Sequence, residues 1–298
     1  MSNKSPLAFV LSGGGSRGAM QVGALRALFE AGYVPEILGG TSIGAANSAF
    51  LALHGCTLES LANLEQVWLA MMDKDLMPTN LWWQTMRAFF RRGEGFSQNR
   101  IRDFAIQHGI TPEVCFKDLP GIRLFLVASD LNAGNPVVFG DDPQGSLLEG
   151  VLASMALPPW LAPIERGEQY LVDGGVVSNL PVEIALQHGA GEIIALDLFD
   201  PYDVDVTDKG PKSFLWKLNQ TIEHRQLRLE IELAEARGVR VRRIPLTLEK
   251  DPVPFWDFRH SPALIQIGYE LARKEIDTWE PQPQLAWWHS LVPGWLKK

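Results

Sequence analysis

Two kinds of pattern alternate along this chain: short runs of consecutive apolar residues that end in glycine or a polar turn, and longer stretches with apolar residues three and four apart. Leu7 to Leu11 (LAFVL) is of the first kind. A strand covered on both faces has no wet side, so it reads as a continuous apolar run, and this one is expected in a parallel sheet. Gly18 to Gly32 comes next, with Met20, Val22, Leu25, Leu28 and Phe29 at helical spacing and a glycine at its end. In PEILGGTSIG, Ile37 and Leu38 centre a second strand, succeeded by a turn and an alanine-rich helix through Leu53.

Further strands are expected at Ile122 to Asp130, at Pro136 to Phe139 as its antiparallel neighbour, and at Gly191 to Phe199. Helices are expected near Leu58 to Met72, Arg100 to His108, Gly145 to Met155, Pro181 to His188, Phe214 to Ala236 and Pro262 to Thr278. Such alternation predicts an α/β fold, a three-layer α/β/α sandwich around a mainly parallel central sheet. Met77 to Gln98 and the proline- and tryptophan-rich tail from Glu280 read as excursions from that core.

Composition narrows the function classes. At 298 residues, 46% hydrophobic and 21% charged, the chain is an ordinary globular one, large enough to bury a substantial core. A net charge of −8 argues against a nucleic-acid binder with a broadly basic surface. Cys56 and Cys115 make neither a disulfide scaffold nor a zinc site, and the short apolar start lacks a signal-peptide pattern, so a reduced, cytoplasmic protein is expected. Ile37 to Leu58 carries no Asp, Glu, Lys or Arg, but its glycines, Thr41, Ser42, Asn47 and Ser48 argue against a membrane span.

The chemistry concentrates in two strand-to-helix turns. The loop LSGGGSRG contains Gly13, Gly15 and Gly18 in the G-x-G-x-x-G spacing of a dinucleotide site. Amides gathered at a helix start stabilise negative charge, whether on a bound pyrophosphate or on a transient oxyanion. A dinucleotide site also needs an acidic residue at the end of the second strand, and Glu36 precedes that strand instead. The strand runs into Gly40-Thr41-Ser42-Ile43-Gly44, a G-x-S-x-G elbow in the strand-turn-helix setting that lifts a serine hydroxyl above a sheet. Gly14 and Gly15 then become candidate oxyanion donors. The base for Ser42 is open at this level: His188, His224, His260 and His289 lie downstream in unremarkable contexts, and Asp173 ends an apolar strand in YLVDGGVVSNLP, where an ordinary Asp-Gly turn is the competing explanation.

Taken in order, GGGSRG (Gly13 to Gly18), GTSIG (Gly40 to Gly44), ASMALPPWLAPI (Ala153 to Ile164) and DGG (Asp173 to Gly175) resemble the patatin-like phospholipase family, and ASDLNAG (Ala128 to Gly134) looks like its strand-and-turn. The likeness covers roughly residues 7 to 200, and the remainder reads as a helix, strand and helix closing the sheet of one domain, 1–298. It implies a lipid acyl hydrolase with Ser42 as nucleophile and Asp173 as general base, without histidine. The Gly13, Gly14 and Gly15 backbone would form the oxyanion hole, with Gly40, Gly44 and Gly174 in support, and neither metal nor cofactor is required. Arg17 would orient that loop, meet an anionic head group or form a structural salt bridge. Pro159-Trp160 departs from the family's usual residues and bears on the shape of the acyl pocket.

The implied partner is a lipid or other acyl ester. Asn80 to Arg92 (NLWWQTMRAFFRR) has the aromatic and basic composition of a segment that touches a membrane surface, and Trp287, Trp288, Trp295, Lys297 and Lys298 repeat it in the tail. Packing on the body of the protein is the alternative for both. Two other functions stay in view: a nucleotide-binding protein using the 13–18 loop, and a lipid-binding protein on the same fold without chemistry.

Overall fold

The computed structural model describes residues 5–72, 98–158, 160–198, 211–248 and 253–279. The segments Asn80 to Arg92 and the tail from Glu280 lie outside them, as does Pro159.

The strands are β1 (Leu7–Leu11), β2 (Ile37–Thr41), β3 (Arg123–Asp130), β4 (Asn135–Phe139), β5 (Ile164–Arg166), β6 (Gln169–Asp173), β7 (Glu192–Asp197) and β8 (Arg240–Pro245). The helices are α1 (Gly18–Glu30), α2 (Ile43–His54), α3 (Leu58–Met71), α4 (Asn99–Gln107), α5 (Leu147–Ser154), α6 (Val182–Gln187), α7 (Pro211–Ala236) and α8 (Ser261–Ile276). Strands β3, β2, β1, β7 and β8 lie side by side and parallel. Antiparallel β4 and the β5-β6 hairpin join β3. The α/β sandwich with a mainly parallel sheet is therefore what forms, including the antiparallel β3-β4 pair.

Alternation along β1 divides the core. Leu7, Phe9 and Leu11 join the face covered by α1, α2, α3, α5 and α8, whereas Ala8 and Val10 face α6 and α7. The C-terminal helix α8 is a structural part of the first face. A Cβ on Gly23 of α1 would stand 1.8 Å from the Ile265 carbonyl oxygen and one on Gly268 of α8 2.0 Å from that of Met20, so paired glycines let the two backbones touch. The β5-β6 hairpin escapes periodicity because its first strand is three residues long. The uncharged stretch from Ile37 to Leu58 divides into β2 and α2, and no helix among the described residues is long and apolar enough to cross a membrane.

Candidate active site

Ser42 stands between β2 and α2 with φ 55° and ψ −124°, and it is the sole non-glycine residue with positive φ among those described. That conformation costs roughly 1–3 kcal/mol and persists where its surroundings enforce it. The Ser42 amide donates to Ser154 Oγ at 2.8 Å, and the Ser154 hydroxyl donates in turn to the Val127 carbonyl at 2.6 Å. The glycines on either side are required by contact. A Cβ on Gly40 would fall 2.4 Å from the Gly44 carbonyl, and one on Gly44 2.3 Å from that of Leu11. Although Ser42 occupies the N-cap of α2, its hydroxyl makes no capping bond.

Asp173 is brought to Ser42 by the sheet. Thr41 of β2 registers with Val127 of β3, and Asp173 of β6 with the next residue, Ala128. Because β4 occupies the other edge over Leu126 to Asp130, β2 and β6 run toward each other along one edge of β3 and stop end to end. The Asp173 backbone is clamped there, its amide donating to Ala156 O and its carbonyl accepting from Ser129 Oγ, both at 2.8 Å.

The side chain of Asp173 is buried, with the residue 4% exposed. Its Oδ1 accepts from the Gly175 amide at 2.8 Å, while Oδ2 is buried with no hydrogen-bond partner among the described residues. Burial pushes its pKa up to about 6, and the neighbouring Ser42 hydroxyl and the Gly175 amide pull it partly back. The Ser42 hydroxyl is thus close enough to act on the carboxyl, yet the hydrogen bond to Oδ2 is not closed. Catalytic hydrogen bonds in unliganded sites commonly have this loose geometry.

The glycine loop lies against this pair: a Cβ on Gly13 would come within 3.0 Å of Ser42 Cβ. Its three amides are not equivalent. That of Gly13 donates to Asn179, to the backbone oxygen at 3.2 Å and to Oδ1 at 3.1 Å, whereas those of Gly14 and Gly15 have no hydrogen-bond partner among the described residues. On its far side the loop is held by Ser16, whose amide donates to Phe255 O at 2.7 Å and whose hydroxyl donates to Pro254 O at 2.9 Å. Arg17 faces Glu223 of α7, whose pKa burial raises to about 7; Arg17 lowers it, and the charges of Asp173 and Asp197 add to the rise. Gly174 packs against the Val127 carbonyl and Thr41.

Other candidates fall elsewhere. The His188 ring bonds Ile184 O and Asp141 and stacks on Phe125, and His260 lies exposed beside Asp257. His224 is exposed on α7, and His289 lies outside the described residues. The dinucleotide reading loses its acidic partner, since Glu36 meets the Leu7 amide at the start of β1, the opposite end from the glycine loop. Gly18 is no phosphate contact either: a Cβ there would lie 2.7 Å from Ile43.

Sequence reasoning missed Ser154 and Asn179, although both lie inside the motifs that point to the site. It also missed a buried polar chain behind the loop. Gln21 Nε2 donates to Ser12 O, Asn47 Nδ2 donates to Gln21 Oε1, and the Trp68 indole donates to Asn47 Oδ1. Beside Ile43 and Met155, the neighbours of Ser42 and Ser154, opens an almost wholly apolar cavity of about 90 Å³, lined also by Phe50, Trp68, Ile101 and Phe258. At its edge the Trp160 ring meets Phe255 edge-on at 4.7 Å, so the unusual tryptophan forms a wall beside the glycine loop.

The profile of the patatin-like phospholipase family matches residues 9–186. The chain is 30% identical over 298 residues to patatin-like phospholipase domain-containing protein 7 of Mus musculus, spanning 94% of this chain and 21% of that protein. It is 32% identical over 214 residues to patatin-like phospholipase domain-containing protein 6 of Homo sapiens, spanning 71% of this chain and 15% of that one. The chain thus corresponds to about a fifth or less of the length of these relatives. Among solved structures, VipD from Legionella pneumophila aligns over 92% of this chain and 67% of its own at 15% identity, with a TM-score of 0.48. On the strength of the profile match and the level of identity, the chain belongs to the patatin-like phospholipase family.

Proposed function

We propose that this chain is a serine lipid acyl hydrolase working through a Ser42–Asp173 dyad. The observation that carries the reading is the pairing itself: a serine held in a strained elbow with an uncommitted hydroxyl, beside a buried carboxylate with one uncommitted oxygen. With a pKa near 6, Asp173 is mostly ionised at pH 7 and basic enough to take a proton as the bond to carbon forms.

In this mechanism Asp173 Oδ2 accepts the Ser42 proton as Oγ attacks the ester carbonyl. The resulting oxyanion is received by the Gly14 and Gly15 amides, each such donor being worth about 3 kcal/mol in the transition state. The tetrahedral adduct collapses, the C–O bond to the alcohol or lysolipid breaks, and Asp173 returns the proton to the departing oxygen. Water, deprotonated by Asp173, then attacks the acyl-Ser42 carbonyl; the bond from the acyl carbon to Oγ breaks, Asp173 returns the proton to Oγ, and the fatty acid leaves. Gly13 serves the hole by fixing its shape, since its own amide is held by Asn179. Gly40, Gly44 and Gly174 permit the close backbone approaches at the dyad.

The apolar cavity beside Ile43 supports a hydrocarbon acyl chain over a polar one. The free thiols of Cys56 and Cys115 suit a reducing, cytoplasmic setting. The test is intact-mass analysis after treatment with a fluorophosphonate. One adduct on Ser42, absent from Ser42→Ala, is expected together with release of fatty acid from a panel of acyl lipids. Failure to label, with no turnover on any ester, would leave a lipid-binding protein without chemistry.

A further inference from the structure

Helix α7 has two apolar faces where a surface helix needs one. Its inner face sets Leu227 and Ala234 into the core, with Gln220 and Glu230 also buried. On its outer face Phe214, Leu218, Ile222 and Leu229 are 59%, 47%, 50% and 46% exposed. At about 100° per residue these four fall within about 80° of arc, roughly opposite Leu227. Eight large apolar side chains are exposed among the described residues, and half of them form this stripe. Scattered surface leucines need no explanation, but a contiguous stripe does.

Two further observations say what covers it. The first is charge. Between Phe214 and Leu229 the charged residues are Lys217, Glu223, Arg225 and Arg228. Glu223 turns inward, lining a small cavity with Asn179 and Asp197, and Glu232, at the same helical angle as Phe214, pairs with Arg228, which leaves Arg225 as the positive charge within the arc on a chain whose net charge is −8. Arg225 lies within the apolar arc and Arg228 beside it, the latter 3.6 Å from Glu232. The second is position. Gln226, one turn beyond Ile222, donates to the carbonyl of Val177, and the neighbouring Val176 is 48% exposed three residues after Asp173. Helix α7 is thereby tied to the turn that follows Asp173.

We infer that the outer face of α7 docks on an anionic lipid bilayer, with Phe214, Leu218, Ile222 and Leu229 entering the acyl boundary and Arg225 meeting head-group phosphates. A second copy of the chain is the competing occupant, and sedimentation separates the two. The purpose of the surface, delivering lipid to Ser42, rests on the hydrolase reading; its binding to vesicles does not.

Flotation of the full chain with phosphatidylcholine vesicles, alone or mixed with phosphatidylglycerol, tests this. Binding to the mixed vesicles, weakened by salt, is expected. The double variant Leu218→Ser/Ile222→Ser and the charge reversal Arg225→Glu should each reduce the bound fraction about tenfold while keeping the circular dichroism and the turnover of a soluble short-chain ester. The proposal is overturned if the chain ignores both vesicles, if the variants bind as well as the parent, or if sedimentation shows a dimer that the double variant dissolves. Vesicle binding without hydrolysis of any ester would sink the enzymatic reading alone. Hydrolysis of soluble esters without vesicle binding would sink this one alone.

Discussion

Thr41 and Asp173 stand opposite consecutive residues of β3, Val127 and Ala128, although 132 positions separate them along the chain. One strand running parallel to β3 and another running antiparallel end at the same point of its edge. Ser42, the next residue after Thr41, is delivered to the carboxylate by that meeting. The Val127 carbonyl at the junction accepts from Ser154, which also holds the Ser42 amide.

The burial of Asp173 sets the pH profile. Its carboxyl must be ionised to accept the Ser42 proton, so kcat/KM on a soluble ester should climb as pH rises through about 6 and level off above. Steady-state rates across a pH series check this. A rise centred at an ordinary aspartate value would remove the buried base from the mechanism.

Stability should move oppositely to activity when that charge is removed. The folded-state pKa of about 6 lies above the ordinary 3.8, so the native state binds the proton more tightly than the unfolded chain. Native stability from this group is therefore present at low pH and is lost as pH rises through the folded value, by roughly 3 kcal/mol once ionisation is complete. Asp173→Asn should melt higher than the parent at pH 8, melt about equally at pH 4 and lose hydrolysis at both. Thermal melts at the two pH values decide it, and equal melting at pH 8 would contradict the raised pKa.

Ser154→Ala should disable Ser42 without touching substrate. It leaves the Ser42 amide buried beside an apolar methyl, a loss of about 1–3 kcal/mol, and frees the elbow to relax. A fall in kcat of about 10–100-fold with little change in KM is expected, together with slower fluorophosphonate labelling. A variant that labels at the parental rate would show that the elbow holds its shape without this hydrogen bond.

Chain-length preference should answer to the cavity beside the elbow. Ala46 lies on its wall, and Ala46→Leu would fill part of the 90 Å³. The ratio of kcat/KM for an octanoyl over a butyryl ester should fall about tenfold while the butyryl ester is hydrolysed as before. Equal losses on both would place the acyl chain elsewhere.

Much of this protein is written locally. The apolar runs of β1 and β7 needed no distant partner to be recognised as buried strands, and the helical spacing from Gly18 fixed α1 to within two residues of its end. Gly40 and Gly44 were legible around Ser42 because a sharp turn makes demands on neighbouring residues only. The unequal roles of the three loop amides were not legible, since Gly13 is occupied by Asn179, 166 residues away. Nor was Ser154 distinguishable from any other serine before a helix end, because its importance lies in a hydrogen bond to Ser42 across 112 residues. The motif order suggested Asp173, but its pKa and its open Oδ2 arise from desolvation by elements that only the folded sheet assembles. Local backbone preference and apolar periodicity act over a few residues and are read from sequence; burial and long-range hydrogen bonding exist only once the strands have met.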